Sequence, residues 1–259
     1  MINKKFLKLL RSQNKYNKNN FIYEIIAKRI NDSLDLLKIS ATDILEIGIN
    51  EDLTFDYIKD KFSNCKITRG DICESKFQNK KLINYLKINI SNLELKKNIY
   101  DIVYSNFFLH ICDNIEENLQ SIFDSLKSNG LFIFVIPGSE NIYQLINSMY
   151  KVDQMLYSGS YSRHNPTVSV NEIFKLLKKL RFDAPTINAD KIRIEYSNFD
   201  KLLNDIKTMN LSYCYNDKRQ FIENKQYFRM LKDTYENQYF KNNNYILDID
   251  LNIITAWKK

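Results

Sequence analysis

Histidine and cysteine are scarce, with only His110, His164, Cys65, Cys73, Cys112 and Cys214 in 259 residues. The cysteines lack the paired spacing of tetrahedral metal ligation and two histidines cannot complete such a set, so no metal ligands are expected. With no secretory leader and nothing that demands a disulfide framework, the thiols are expected to be free in a reducing compartment, the cytoplasm. Long apolar runs are also missing. The longest clean stretch, Leu131–Ile136, is far too short to span a bilayer, which implies a soluble protein. There is no internal repeat or low-complexity linker, so one domain over residues 1–259 is the default. Charge of one sign is not blocked either: 38 Lys and Arg against 31 Asp and Glu give +7, scattered along the chain with no nucleic-acid recognition motif. A solvated basic surface is expected, with no nucleic-acid partner.

What is present is organised around Asp43-Ile44-Leu45-Glu46-Ile47-Gly48 and the turn Ile49-Asn50-Glu51-Asp52. An apolar run ending in Gly, then small polar residues, then an amphipathic Leu53–Phe62, reads as a buried strand turning into a helix. Further strands are expected at Cys65–Arg69, Leu86–Ile90, Tyr100–Tyr104, Leu131–Ile136, Lys191–Tyr196 and Tyr245–Trp257. Helices are expected at Phe21–Leu37, Asp113–Leu126, Ile142–Tyr157, Val170–Leu180, Phe199–Met209 and Phe221–Tyr239, with Gly130 supplying the left-handed end of the second of these. The alternation predicts an α/β protein with a doubly wound, mostly parallel sheet of seven strands, the last antiparallel. Segments 139–168 and 199–243 are expected to form a helical cap. Residues 1–20 read as a solvated basic arm, or as a short amphipathic helix that touches an anionic membrane surface.

In such a sheet a ligand lies beyond the carboxyl ends of the strands. Gly48 would let the backbone approach it, and Asp71, roughly twenty residues on, would accept hydrogen bonds from a ribose diol; the bland alternatives are a plain turn and a cap. Asn89 suits an adenine edge or an ordinary turn. Ser105 and Asn106 lead into Phe107, Phe108, Leu109 and His110 on the floor of any pocket, where His110 is a candidate general base or a wall residue. Arg163 is a candidate clamp for a carboxylate, or solvated surface. Tyr213 and Tyr215 line the pocket mouth or cover apolar area.

Taken together, Leu45-Glu46-Ile47-Gly48, Asp71, Asn89, Tyr100-Asp101-Ile102-Val103, Leu109-His110 and Leu126-Lys127-Ser128-Asn129-Gly130-Leu131 resemble a class I S-adenosylmethionine-dependent methyltransferase. Arg163-His164-Asn165-Pro166, Asp190-Lys191-Ile192 through Tyr196, Leu202–Met209 and Ala256-Trp257-Lys258 resemble the branch holding the malonyl-carrier-protein methyltransferase of biotin synthesis and complex I assembly factor 5 with its alphaproteobacterial relatives. The resemblance implies a Rossmann-like fold with a helical cap and S-adenosyl-L-methionine as cofactor. It implies contacts from Glu46, Gly48, Asn50, Asp71, Asn89 and Ser105, and acceptor-side candidates His110, Arg163 and Tyr213. The acceptor would be a small molecule or a protein, including a complex I subunit. A second implied role is a non-methylating assembly protein, or an arginine-hydroxylase-like one. The chain departs from the branch where Gly48-Ile49-Asn50-Glu51-Asp52 replaces Gly-x-Gly-x-Gly: an open slot beyond the first strand favours an enzyme, and a slot filled by Asn50, Glu51 or Asp52 favours a binding role.

Overall fold

The computed structural model describes residues 2–13, 21–50, 52–73, 84–209, 211–216 and 223–259. In chain order the elements are α1 (Lys4–Gln13), α2 (Phe21–Asp35), β1 (Asp43–Ile47), α3 (Leu53–Lys61), β2 (Lys66–Asp71), β3 (Asn84–Lys87), β4 (Tyr100–Asn106), α4 (Ile115–Ser125), β5 (Leu126–Pro137), α5 (Tyr143–Tyr157), α6 (Val170–Lys179), β6 (Asp183–Tyr196), α7 (Phe199–Thr208), α8 (Lys225–Tyr239), β7 (Phe240–Lys241) and β8 (Asn244–Lys258).

Seven strands lie in the order β3-β2-β1-β4-β5-β8-β6, and the two-residue β7 hangs on β8 as an eighth. β1 pairs in parallel with β2 on one side and β4 on the other. The chain steps outward through β2 and β3 and then returns to β4, so the order reverses between β1 and β4 and a crevice opens beyond their carboxyl ends. β8 runs antiparallel to β5, as expected of the last strand.

Period-two alternation in β5 divides the core. Leu131, Ile133 and Val135 face one layer with Ile26, Ile58 and Leu231, while Phe132, Phe134 and Ile136 face the other with Leu7, Leu119 and Leu177. The segments expected to cap the sheet supply α5, α7 and α8, whose Leu145, Leu202 and Leu231 lie in the first layer. Among the described residues no helix is long and apolar enough to cross a membrane.

Three expectations are corrected. Gly130 does not end a helix in left-handed conformation: α4 stops at Ser125 with Leu126 extended as its cap, residues 126–130 already belong to β5, and the left-handed φ of 62 falls to Asn129 within that strand. Strand β6 begins at Asp183, not Lys191, and pairs along most of β8 despite an irregularity between Asp183 and Thr186; its exposed, Pro-interrupted first half concealed it. The opening segment is not a solvated arm over residues 4–13. It is a helix with Leu7 and Arg11 each only 1% exposed.

Candidate cofactor site

The turn after β1 is fixed by Gly48, whose φ of 88 is closed to most side chains. Gly48 N–H donates to the Gly70 carbonyl at 2.8 Å, extending the β1–β2 ladder by one rung. This brings the next amide, Ile49 N–H, onto Asp71 Oδ2 at 2.9 Å, while Cys73 N–H donates to Oδ1 at 2.9 Å. The carboxylate at the tip of β2 is therefore fully buried beneath the glycine turn, held by two backbone donors. Gly48 and Asp71 form one site.

That site is filled, though not by the residues the sequence suggested. Arg11 from α1 donates Nε to Asp71 Oδ1 at 3.0 Å and Nη2 to Oδ2, a fork-to-fork pair. Its Nη2 also reaches the Ile49 carbonyl at 3.3 Å, and its Nη1 reaches Asn50 Oδ1 at 3.2 Å. Burial alone would lower the Arg11 pKa; the charge of Asp71 overrides it and raises the value. The guanidinium carbon stands 4.8 Å from the centre of the Phe108 ring. A Cβ added to Gly48 would overlap Cβ and the ring of Phe108, so this aromatic lies on the face of the turn. Asn50 donates Nδ2 to the Asn106 carbonyl and so bridges β1 to β4. Glu51 lies outside the described residues.

Beside the carboxylate a cleft of 240 Å³ is lined by Ile72, Ile88, Asn89 and Ile90, with Lys4, Lys8 and Lys87 at its rim. An apolar slab with one amide suits a purine. Asn89 Oδ1 accepts from Lys4 Nζ at 3.1 Å and from Ser91 N–H at 3.2 Å. A larger groove of 630 Å³, lined by residues such as Asn92, Lys96, Glu117 and Asp124, shares no residue with this site.

Two expected contacts are engaged elsewhere. Glu46, 1% exposed, pairs both oxygens with Arg69, which also bonds Asp52 and lies over Phe55; this cluster ties β1, β2 and the start of α3 together. Asp52 consequently caps α3 by position only, without a side-chain cap bond. Ser105 donates Oγ to the Ile47 carbonyl at 2.8 Å, fastening β4 to β1.

On the acceptor side, both histidines line a single cavity of 20 Å³ between the end of β5 and the loop before α6, with Ser139, Asn141 and Asn165. That is room for about one water. Both ring nitrogens of His110, Nδ1 of His164 and Nδ2 of Asn165 are buried there without a hydrogen-bond partner. Burial, and secondarily the charge of Arg11, push the His110 pKa down to about 3; burial lowers that of His164 as well. Arg163 does not serve as an open clamp. Its guanidinium is taken by Asp153 and by Glu223 at 2.7 Å, and it stacks on Tyr227 at 4.8 Å. Tyr213 stacks on Tyr215 at 5.3 Å, and Tyr215 bridges to Ile2, so the aromatic loop leans on the start of α1.

A pH dependence follows from His110. Its folded-state pKa lies at about 3 against an ordinary 6.5. Between these values the unfolded chain binds a proton that the folded chain refuses, so stability falls as pH drops from 6.5 toward 3. In His110→Gln this contribution disappears, flattening the loss by up to about 1.4 kcal/mol per pH unit. Urea unfolding of both proteins at pH 7, 6 and 5 reads the difference.

Comparison with known proteins bears on the fold that carries this site. Residues 45–134, from β1 into β5, match the family described as "Methyltransferase domain". This segment of the chain is similar to that domain. The mouse "Arginine-hydroxylase NDUFAF5, mitochondrial" is 28% identical over 175 residues, covering 66% of this chain and 50% of its own length. The human protein of that name is 25% identical over 199 residues, covering 75% and 57%. The chain thus spans about half the length of these relatives. A Coxiella burnetii "Malonyl-[acyl-carrier protein] O-methyltransferase 1" is 19% identical over 226 residues, covering 86% and 76%. Among solved structures, a SAM-dependent methyltransferase from Archaeoglobus fulgidus superposes with a TM-score of 0.52 at 15% identity, covering 91% of this chain and 94% of its own. The fold is Rossmann-like, as in that structure. Sequence reasoning missed Arg11, and it placed Phe108 on the pocket floor and not on the turn: the only hint of Arg11 was its place four residues after Leu7 in an amphipathic segment.

Proposed function

We propose that the protein binds S-adenosyl-L-methionine between Gly48, Asp71 and Asn89 and transfers its methyl group to a small-molecule or protein acceptor. The observation that carries this is the buried Asp71 carboxylate, positioned by the amide that follows Gly48 and bordered by the Ile72, Ile88 and Ile90 cleft. These residues fit a nucleoside once Arg11 leaves the carboxylate: two oxygens for a ribose diol and an apolar slot for a base, beside a glycine turn whose Cβ face is covered by Phe108. When bound, the cofactor supplies an electrophilic methyl group. The chain's own part is to hold and orient. His110, with its pKa near 3, stays neutral and cannot retain a proton taken from an acceptor at neutral pH. It suits hydrogen bonding to an acceptor that is already nucleophilic, such as a carboxylate, for which alignment matters more than a base. Among protein acceptors, the resemblance to the assembly-factor branch points to a respiratory complex I subunit. The four free cysteines fit a reducing compartment such as the cytoplasm.

A second reading, a non-methylating assembly protein or one resembling the arginine hydroxylases, is favoured by the filled state of the turn, with Phe108 on Gly48 and Arg11 on Asp71. Isothermal titration separates the two. S-adenosylmethionine and its demethylated product should bind saturably with one site per chain, and Asp71→Ala should weaken that binding at least about tenfold, from the loss of charge-assisted hydrogen bonds. No heat of binding at millimolar ligand would overturn the cofactor assignment. Mass spectrometry of molecules retained on purification is the companion measurement.

A further inference from the structure

We infer that α1 is a latch on the nucleoside site. Arg11 holds the Asp71 carboxylate in the place a ligand's ribose would take, so α1 docking and ligand binding exclude one another. The identity of the ligand rests on the proposed function; the latch rests on α1 itself.

The helix lies across every part of the site. Its N-terminal end is tied down by Ile2 N–H to Asp113 Oδ1 at 2.8 Å and Asn3 N–H to the Cys214 carbonyl at 2.7 Å. Lys4 then reaches Asn89, Leu7 enters the apolar layer that includes Ile72 and Ile88, and Arg11 reaches Asp71, Asn50 and the Ile49 carbonyl. The purine cleft is rimmed by Lys4 and Lys8 of the same helix. One element therefore touches the base, ribose and turn positions together.

The attachment is thin for an element so placed. Of the helix side chains described, only Leu7 and Arg11 are buried. A helix of 10 residues has little stability of its own, so it depends on these two anchors together with the ties at Ile2, Asn3 and Lys4. Burying a guanidinium and a carboxylate gains little net stability, because desolvation offsets their attraction, whereas an unpaired carboxylate at this depth is costly. Arg11 is thus the partner that Asp71 requires while the site has no ligand. A ribose diol that donates two hydrogen bonds to the same oxygens relieves that requirement and frees Arg11 to return to water.

A ligand that must displace α1 binds with its intrinsic affinity reduced by the fraction of molecules with α1 open. Titration of S-adenosylhomocysteine into the full chain should therefore show binding tightened about tenfold or more in Arg11→Met, with Arg11→Lys, which keeps the charge but loses the fork, falling between. Hydrogen exchange gives the independent readout: saturating S-adenosylhomocysteine should speed exchange of the 4–13 amides in the unaltered protein, opposite to the protection that a closing lid would gain. Slowed exchange, or affinity that is unchanged or weaker in Arg11→Met, overturns the latch. If neither protein binds this ligand, the proposed function fails, and the latch is judged on Asp71→Asn alone: faster exchange confined to α1 upholds it, and unchanged exchange overturns it.

Discussion

Gly48→Ala is expected to destabilise the protein by about 2–5 kcal/mol, from two additive causes. At φ 88 an alanine adopts a backbone conformation that costs about 1–2 kcal/mol. Its methyl group also meets Cβ and the ring of Phe108, which is fully buried and has no room to retreat, and overpacking of this kind adds about 1–3 kcal/mol. The double variant Gly48→Ala/Phe108→Ala separates the causes. It should recover the packing part relative to Phe108→Ala alone and retain the conformational part. Urea unfolding of the four proteins of this cycle measures the coupling; a cost for Gly48→Ala that is unchanged by loss of the Phe108 ring would refute the contact.

The same residues show what the sequence disclosed. The strand-turn-helix around Gly48, the partnership of Gly48 with Asp71 and the parallel order of the sheet were legible because they are local: an apolar run, a glycine, a carboxylate one crossover later. The occupant of the site was not. Arg11 lies 60 positions from Asp71, and its segment carries so many lysines that one inward-facing arginine leaves no compositional trace. Phe108 read as floor, yet it stands on the turn because Phe107 takes a left-handed φ of 50, a conformation no pattern of residue types announces. Glu46 and Arg163 went astray for a common reason. Each is a charged residue beside a candidate cleft, and each has its charge met by partners 23 and 60 positions away, Arg69 and Glu223, whose pairing only the fold determines.

Glu46→Ala is expected to be more damaging than Arg69→Met, although both break the same ion pair. Arg69 is 2% exposed and its pairing with Glu46 keeps it charged, its pKa raised by that carboxylate after the opposing effect of burial. Without Glu46 the guanidinium loses its buried carboxylate partner and retains Asp52, which is 35% exposed, and arginine cannot shed its proton. The expected loss is about 3–5 kcal/mol at any pH near neutral, as for buried ion pairs from which one member is removed. In Arg69→Met the group that loses its guanidinium is Glu46, and a buried carboxylate that loses a cationic partner takes up a proton more readily. Its folded-state pKa then rises above the unfolded value of about 4.3. Between the two the folded chain holds more protons than the unfolded chain, so the variant regains stability as pH falls from 7 toward 5. Guanidinium unfolding at pH 7 and pH 5 should therefore show the deficit of Arg69→Met shrinking relative to Glu46→Ala. Removing both charges in Glu46→Leu/Arg69→Met should restore most of the loss, since an apolar pair of similar volume leaves no charge to desolvate. A double variant as unstable as Glu46→Ala would mean that the cluster's value lies in its geometry, in holding β1, β2 and α3 in register beneath Gly48, and not in the neutralisation of one charge by another.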